Sequence, residues 1–361
     1  MGLFGNRRAA FAAEPDIKGA AGGSAQTAIG ATYTYMTTTA ELRALQIPTI
    51  SRARDLIASM IGCLDLQKYS LVWNPDTTDY DKIYAPGESW FTRPDPSVTR
   101  NLIMSQTFSD LFFYGRAFWY VTARYSTGYP SAFRYLPIAN VETPEQIGPQ
   151  FFVPADVIEF NGVTLDPANV VQFISPIMGL IYQGARAVEI ATRLDESARR
   201  FAMNEISAGY LQQRGGEPMS ADELGELAAA WSAARQRNAI GALNEFVEWH
   251  EFSSDPSKLQ LVESRQFASL ELARIANIPP YLLGIGVPGY TYQNAQQARQ
   301  DLYLFGAKPF LDCIQETLSM DNVLPRGSHV EFDLEDYLGD NNLINTPLVE
   351  PATPSAQNGM T

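Results

Sequence analysis

Residues 256–318 read PSKLQLVESRQFASLELARIANIPPYLLGIGVPGYTYQNAQQARQDLYLFGAKPFLDCIQETL, and the reading of this stretch decides the fold. It predicts a long helix, an abrupt stop, a short apolar loop and a second long helix. Asp255 stands where an N-cap belongs and Pro256 at the first helical position, where a missing N–H is harmless. Leu259, Val262, Gln266/Phe267, Leu270, Ala273 and Ile275 recur at helical spacing, with Gln266 the polar intrusion. Ile278-Pro279-Pro280 ends the helix, because proline lacks the N–H and forces its predecessor out of helical geometry. The following YLLGIGVPGYTY holds no charge. In the second helix Gly306 and Pro309 predict a kink.

Upstream, ARAVEIATRLDESARRFAMN (185–204) predicts another long helix. Arg186, Glu189, Arg193, Glu196 and Arg200 form a charged stripe along it, read as an exposed face with Glu–Arg pairs four residues apart. Between the two long helices lies a small α/β insert, about 206–254. It comprises the strand GYLQQ, a turn at Gly215-Gly216, a capping box from Ser220 to Glu223, a helix from Ala221 to about Arg237, and strand-like LNEFVEWHEF. A compact lobe is thus held out on a pair of helices.

The N-terminal half predicts a mixed α+β unit. Ile50, Ala53, Ile57, Met60, Ile61 and Leu64 share one face of a helix from about Pro48 to Leu64. Leu66–Val72 alternates as a strand before a turn at Asn74-Pro75-Asp76. A helix from about Ser97 to Phe113 leads through Tyr114-Gly115 to the strand RAFWYVTARY and then SAFRYLPIANVE. Strands follow near Ile158 and Val163, with Asn161-Gly162 as a hairpin turn, and at Val170–Ile174. Gly179–Gly184 breaks the pattern. After the last helix, Val330–Leu334 predicts a strand; the tail from Gly339 and the first 32 residues carry little periodicity and are expected to be mobile.

Composition narrows the function. With 26 basic and 40 acidic residues the chain carries −14, the wrong sign for gripping DNA by phosphate neutralisation. No apolar window is long enough for a membrane span, and MGLFGNRRAAFAAEPD predicts neither a signal peptide nor, with Asn6 where Ser or Thr is wanted, a myristoylation site. Gly284-Ile285-Gly286-Val287-Pro288-Gly289 spells the dinucleotide fingerprint, but a helix and two prolines precede it where a strand is required. Two histidines, His250 and His329, and no HExxH, paired-Cys or GxSxG pattern leave no metal site, no catalytic residue and no cofactor to assign. Cys63 and Cys313 are expected as buried free thiols. Leu324–His329 spells a tag-like scar in altered order, and is taken as native because it leads into a strand.

From about Ile50 to Leu338 the sequence resembles the portal proteins of tailed double-stranded-DNA bacteriophages, in the compact type of long-tailed phages. The carriers are ISRARDLIASMIG, LFFYGRAFWYV, SARRFAMNEISAGYLQQ and above all ESRQFASLELARIANIPPYLLG with YTYQNAQQARQDLYLFGAKPFLDCIQETL. The resemblance implies an α+β portal fold assembling as a ring, typically a dodecamer, in the virion at the capsid portal vertex, after synthesis in the host cytoplasm. A flexible arm (1–32) would precede the wing (33–183, with the kinked helix and wing strand at 294–338). The stem would be 184–204 and 256–277, including Arg186, Glu189, Arg193, Glu196, Arg200, Glu263 and Arg265. The clip would be 205–255, with Phe246, Trp249 and His250. The tunnel loop would be 278–293, with Leu283, Gly284, Ile285, Gly286, Val287, Pro288, Gly289, Tyr290 and Tyr292, and 339–361 a short crown or disordered tail. Implied partners are further copies of the chain, the large terminase subunit, the major capsid protein, a head-tail adaptor and the double-stranded DNA passing through; no membrane is implied. Twelve copies would carry a formal −168 (12 × −14), a field that repels phosphates rather than holding them. The loop lacks the lysines of some portals, so its contacts would fall to Ile285, Val287, Tyr290 and Tyr292. Another head-associated ring or adaptor, and more distantly a nucleotide-binding α/β enzyme, are the competing classes.

Overall fold

The structure, a computed structural model, describes residues 38–146, 152–202, 209–216, 218–236, 246–251, 260–286 and 295–338. Residues 38–45 are helical (α1), and Pro48 then opens α2 (Pro48–Cys63) in the first turn, where proline is accommodated. The face expected from spacing is the buried one: Ile50, Ala53, Ile57, Met60 and Ile61 are buried, as is Leu64 beyond the end. β1 (Leu66–Asn74) turns at Asn74, whose Oδ1 accepts the Asp76 N–H at 2.9 Å, into β2 (Asp79–Ala85), a strand the sequence pattern did not reveal.

One turn of helix, α3 (Ser89–Thr92), precedes α4 (Arg100–Tyr114). α4 stops at Gly115, whose φ of +76° is the left-handed conformation that glycine enters without a Cβ penalty. The chain continues as β3 (Arg116–Arg124), β4 (Pro130–Leu136), β5 (Val141–Glu142), β6 (Ile158–Phe160), β7 (Val163–Leu165) and β8 (Val170–Ile174). Asn161 and Gly162, both at positive φ, form the expected hairpin turn between β6 and β7. The stretch Gly179–Gly184, expected to be irregular, contains the helical turn α5 (Leu180–Gln183).

α6 (Ala185–Ala202) leads to β9 (Gly209–Gln213), α7 (Ala221–Gln236) and β10 (Val247–Glu251), and α8 (Leu261–Ile275) returns. α9 (Ala295–Asp301), a π-helical segment (Leu302–Ala307), α10 (Lys308–Leu318), β11 (Ser328–Phe332) and α11 (Glu335–Leu338) complete the described chain. Among the described residues the strands form the antiparallel sheets β11-β1-β2, β4-β3-β8, β5-β6-β7 and β10-β9.

The core lies where α2, α4 and α10 meet the β4-β3-β8 sheet. Phe310 of α10 packs edge-on to Phe108 at 5.1 Å, and Trp119 of β3 meets Phe173 and Phe133 at 5.0 and 5.4 Å. Each such fully buried aromatic contributes about 1.5–3 kcal/mol. The Trp119 indole N–H donates to Thr107 Oγ1 at 2.8 Å, and that hydroxyl donates to the Ile103 carbonyl, so the polar atoms buried beside Trp119 are paired. Leu324 of the tag-like hexapeptide is buried, and Ser328 and His329 pair with β1, as a native segment requires.

Several expectations are corrected. Cys63, the last residue of α2, is exposed, with the Asn101 amide 3.7 Å from its Sγ; Cys313 is buried as expected. The α8 helix starts at Leu261 after Gln260 at a φ of +48°, a left-handed residue that a helix running back through it excludes; Asp255 and Pro256 lie outside the described residues. The buried face of α8 is Ala268, Leu272 and Ala273, whereas Val262 and Phe267 are 71% and 59% exposed. The helix that the sequence predicts to kink at Gly306 and Pro309 is widened to a π segment just before Pro309. The proline ring removes the donor that would serve the Phe305 carbonyl, and the Asn277 side-chain amide donates to that carbonyl instead.

Candidate functional site

The candidate site has three parts: the α6/α8 pair, the lobe it carries, and the loop beyond α8. On α6, Val188 and Ala191 are buried, and on α8 Ala268 and Leu272; small residues let the two helices approach closely. Across them Arg265 donates to Asp195 from Nε and Nη2, at 3.0 and 2.7 Å. The charged stripe forms the pairs its spacing predicts, Arg193–Glu189 at 2.5 Å and Arg200–Glu196 at 3.2 Å, all exposed. Such pairs contribute about 0.3–0.5 kcal/mol each, too little to be the reason the helix forms. Arg186 and Glu263 line a groove of about 720 Å³ between the helices, floored by Ala187, Ile190, Phe267 and Ala268.

In the lobe, β9 and β10 pair antiparallel, with Trp249 opposite Leu211 and His250 opposite Tyr210. Phe246 lies against Gly215, where a Cβ would come within 2.9 Å of its ring, and Gly216 beside it has a φ of +80°. Glu248 pairs with Arg214 at 2.9 Å and approaches His250 Nε2 at 3.5 Å. The capping box forms as expected: Ser220 N–H donates to Glu223 Oε2 at 2.8 Å and Glu223 N–H to Ser220 Oγ at 3.3 Å. These bonds hold the Glu223 carboxyl below the usual carboxylate range.

Beyond α8 the chain makes a 3₁₀ turn, Pro280–Leu283, ending on Gly284 at a φ of +76°. Three hydrogen bonds tie this point to the rest of the body. Arg52 Nε donates to the Leu282 carbonyl at 3.0 Å, the Tyr281 hydroxyl to Asp301 Oδ2 at 2.6 Å, and Asn277 to Phe305. Leu283 is buried and belongs to the anchor rather than to an exposed loop; Ile285 packs partly on the core, and Gly284 and Gly286 are exposed. Val287, Pro288, Gly289, Tyr290 and Tyr292 lie outside the described residues. A 3₁₀ turn, not a strand, precedes the glycines, so the context a dinucleotide fingerprint needs is missing. Among the described residues no three His, Cys, Asp or Glu side chains converge as metal ligands, and no helix is long and apolar enough to cross a membrane.

One cluster escaped sequence reasoning. Glu41 of α1 accepts from the Tyr114 hydroxyl, and Asp110, one turn back on α4, accepts from Tyr135 at 2.7 Å. Burial pushes both carboxyls above their usual range, Asp110 well above it, against the opposing effect of the tyrosine bonds. The partners lie 25 and 73 positions apart, so no local pattern marks them.

An α+β body from which two long helices carry a small hairpin lobe, with an anchored loop leading into a widened helix, is the architecture of a portal fold. It superposes with a TM-score of 0.66 on an HK97-family phage portal protein from Corynebacterium diphtheriae, at 24% identity over 82% of this chain and 96% of that one. The neck of an empty gene transfer agent particle is similar at a TM-score of 0.56 and 16% identity, over 83% of this chain and 84% of that one. Residues 48–342 match the phage portal protein family, and the chain belongs to it. A probable portal protein of Streptomyces phage phiC31 is 24% identical over 194 residues, 52% of this chain and 41% of that protein. An uncharacterized protein of Rickettsia felis is 33% identical over 113 residues, 31% of this chain and 28% of its own length. The chain thus spans less than half the length of these curated relatives.

Proposed function

We propose that copies of this chain assemble into the ring at one vertex of a phage head, through which double-stranded DNA is packaged and later leaves. The carrying observation is the family match over residues 48–342 together with a fold that places a hairpin lobe on two helices and an anchored loop at their other end. In this reading α6 and α8 are the stem, with Arg186, Glu189, Arg193, Glu196, Arg200, Glu263 and Arg265. The β9–α7–β10 lobe is the clip, which meets the terminase during packaging and an adaptor afterwards through Phe246, Trp249 and His250. The chain over 278–293 is the tunnel loop, and the remaining α+β body the wing facing the major capsid protein.

Two features support this reading, the first as a contact between copies and the second as a passage for DNA. Ile190, Val262 and Phe267 are exposed on the paired helices of a single chain, where a monomer gains nothing from displaying them. The net charge of −14 suits a conduit, because a wall that repels phosphates lets DNA slide whereas a basic wall would hold it. The role is structural, with no catalytic residue and no cofactor assigned. Electron microscopy of the purified chain tests the assignment: monodisperse rings with a central hole are expected. Monomers at all concentrations, or rings without a hole, would refute it.

A further inference from the structure

The β1–β2 hairpin displays an unusual share of large apolar surface. Leu71, Val72, Trp73, Tyr80, Ile83 and Tyr84 are each between 45% and 57% exposed, and every residue of β2 is open to solvent. β2 is the outer strand of β11-β1-β2, so one side of its backbone has no strand beside it among the described residues. Neighbouring residues of a strand face opposite ways, and here the two faces differ chemically. The pairs Tyr69–Tyr84, Leu71–Lys82 and Trp73–Tyr80 put aromatic and aliphatic groups on one face, with Trp73 and Tyr80 edge to face at 5.1 Å. Lys82, the β2 cation on this face, is neutralised by Glu331. Asp79 and Asp81 lie on the other face beside Val72 and Ile83; Asp81 accepts from the Asn74 amide at 2.6 Å and Asp79 from the Tyr80 N–H at 2.7 Å, and no cation comes within ion-pair range of either among the described residues.

We propose that the free edge of β2 takes up an extended segment of another protein in which arginines alternate with apolar residues. A strand added there sends alternate side chains to the two faces, so apolar residues meet Tyr80 and Tyr84 while arginines meet Asp79 and Asp81. Arginine fits better than lysine, since its planar fork pairs with carboxylates bidentately. The aspartates repel nucleic acid. Two copies of β2 joined edge to edge would set the aspartates of both in one sheet, which disfavours self-pairing.

The test uses the full chain and two labelled synthetic peptides of identical composition, one alternating arginine with valine, the other with all arginines followed by all valines. The alternating peptide is expected to bind about tenfold more tightly, as in-register cross-strand pairs require. Asp79→Asn/Asp81→Asn and, separately, Trp73→Ser/Tyr80→Ser should each remove most of that advantage. Asp222→Asn/Glu226→Gln, which removes equal charge from α7, should leave it. Equal binding of the two peptides, or equal loss in the α7 variant, would show mere attraction to an acidic protein and overturn the proposal. A change in subunit number caused by the β2 substitutions would assign the edge to a second copy and overturn it too. The peptide comparison itself reads the same whether or not the chain forms a ring.

Discussion

Asn277→Gly and Asn277→Ala should destabilise the chain by different amounts, and the difference measures how the two helices flanking the loop are joined. Asn277 has a φ of +54° and donates from its side chain to the carbonyl of Phe305. That carbonyl is the one Pro309, four residues on, leaves without a helical donor. Glycine keeps the left-handed backbone and loses only the hydrogen bond, about 1 kcal/mol. Alanine loses the bond and adds about 1–2 kcal/mol of left-handed strain, so about 2–3 kcal/mol in total. At about 2–4 °C per kcal/mol, the expected falls in Tm are about 2–4 °C and about 4–12 °C. Pro309→Ala returns an N–H to the helix, and in that background the Asn277→Gly change should cost only a few tenths of a kcal/mol. The cycle also cancels any effect of glycine on the unfolded chain. Thermal and urea denaturation of the wild type and the four variants give the numbers. An Asn277→Gly cost that is the same with and without Pro309 would refute the reasoning.

Asp110 should make stability fall as pH rises. Its carboxyl is held well above the ordinary range by burial, so between that range and its raised value the folded chain keeps a proton the unfolded chain releases. Stability is then lost at up to about 1.4 kcal/mol per pH unit across the window. Asp110→Asn, which still accepts from Tyr135, should flatten that slope in urea denaturation; an unchanged slope counts against it. Cys63 should react with iodoacetamide at pH 8, because it is exposed, whereas Cys313 should react only on unfolding. Burial pushes the Cys313 thiol up to about 12, and its Sγ donates to the Ile174 carbonyl at 3.1 Å. Peptide mapping that finds both labelled in the native chain would be the contrary result.

Legibility in the sequence followed the physics of each element. α2 was readable because its large residues all face the core, and the β6–β7 turn because Asn161-Gly162 needs positive φ at both positions. β2 was not readable: all seven of its residues are exposed, so DYDKIYA has no inside to alternate with. The face of α8 was misplaced because α8 meets α6 through alanines. A pattern search weights large side chains, and here the large ones, Val262 and Phe267, are the exposed ones. The order of the loop's parts was plain, but its anchors were not, because Arg52–Leu282 and Asn277–Phe305 join positions 230 and 28 apart.

Those anchors define which deletion interrogates the loop and which merely damages the fold. Removing Gly284 and Ile285 would disturb the end of the 3₁₀ turn and take away the half-buried Ile285, whose contact with the core contributes up to about 1.5 kcal/mol. Deletion of Gly286–Tyr290 spares both, and leaves Arg52–Leu282, Tyr281–Asp301 and Asn277–Phe305 in place. We therefore expect the deletion of Gly286–Tyr290 to preserve Tm and ring formation while DNA packaging or retention fails. If the deleted chain no longer forms rings, residues 286–290 belong to the assembly contact and the tunnel-loop assignment is wrong. If it forms rings that package and retain DNA normally, the segment does not act on DNA, and the reading of an uncharged constriction falls with it.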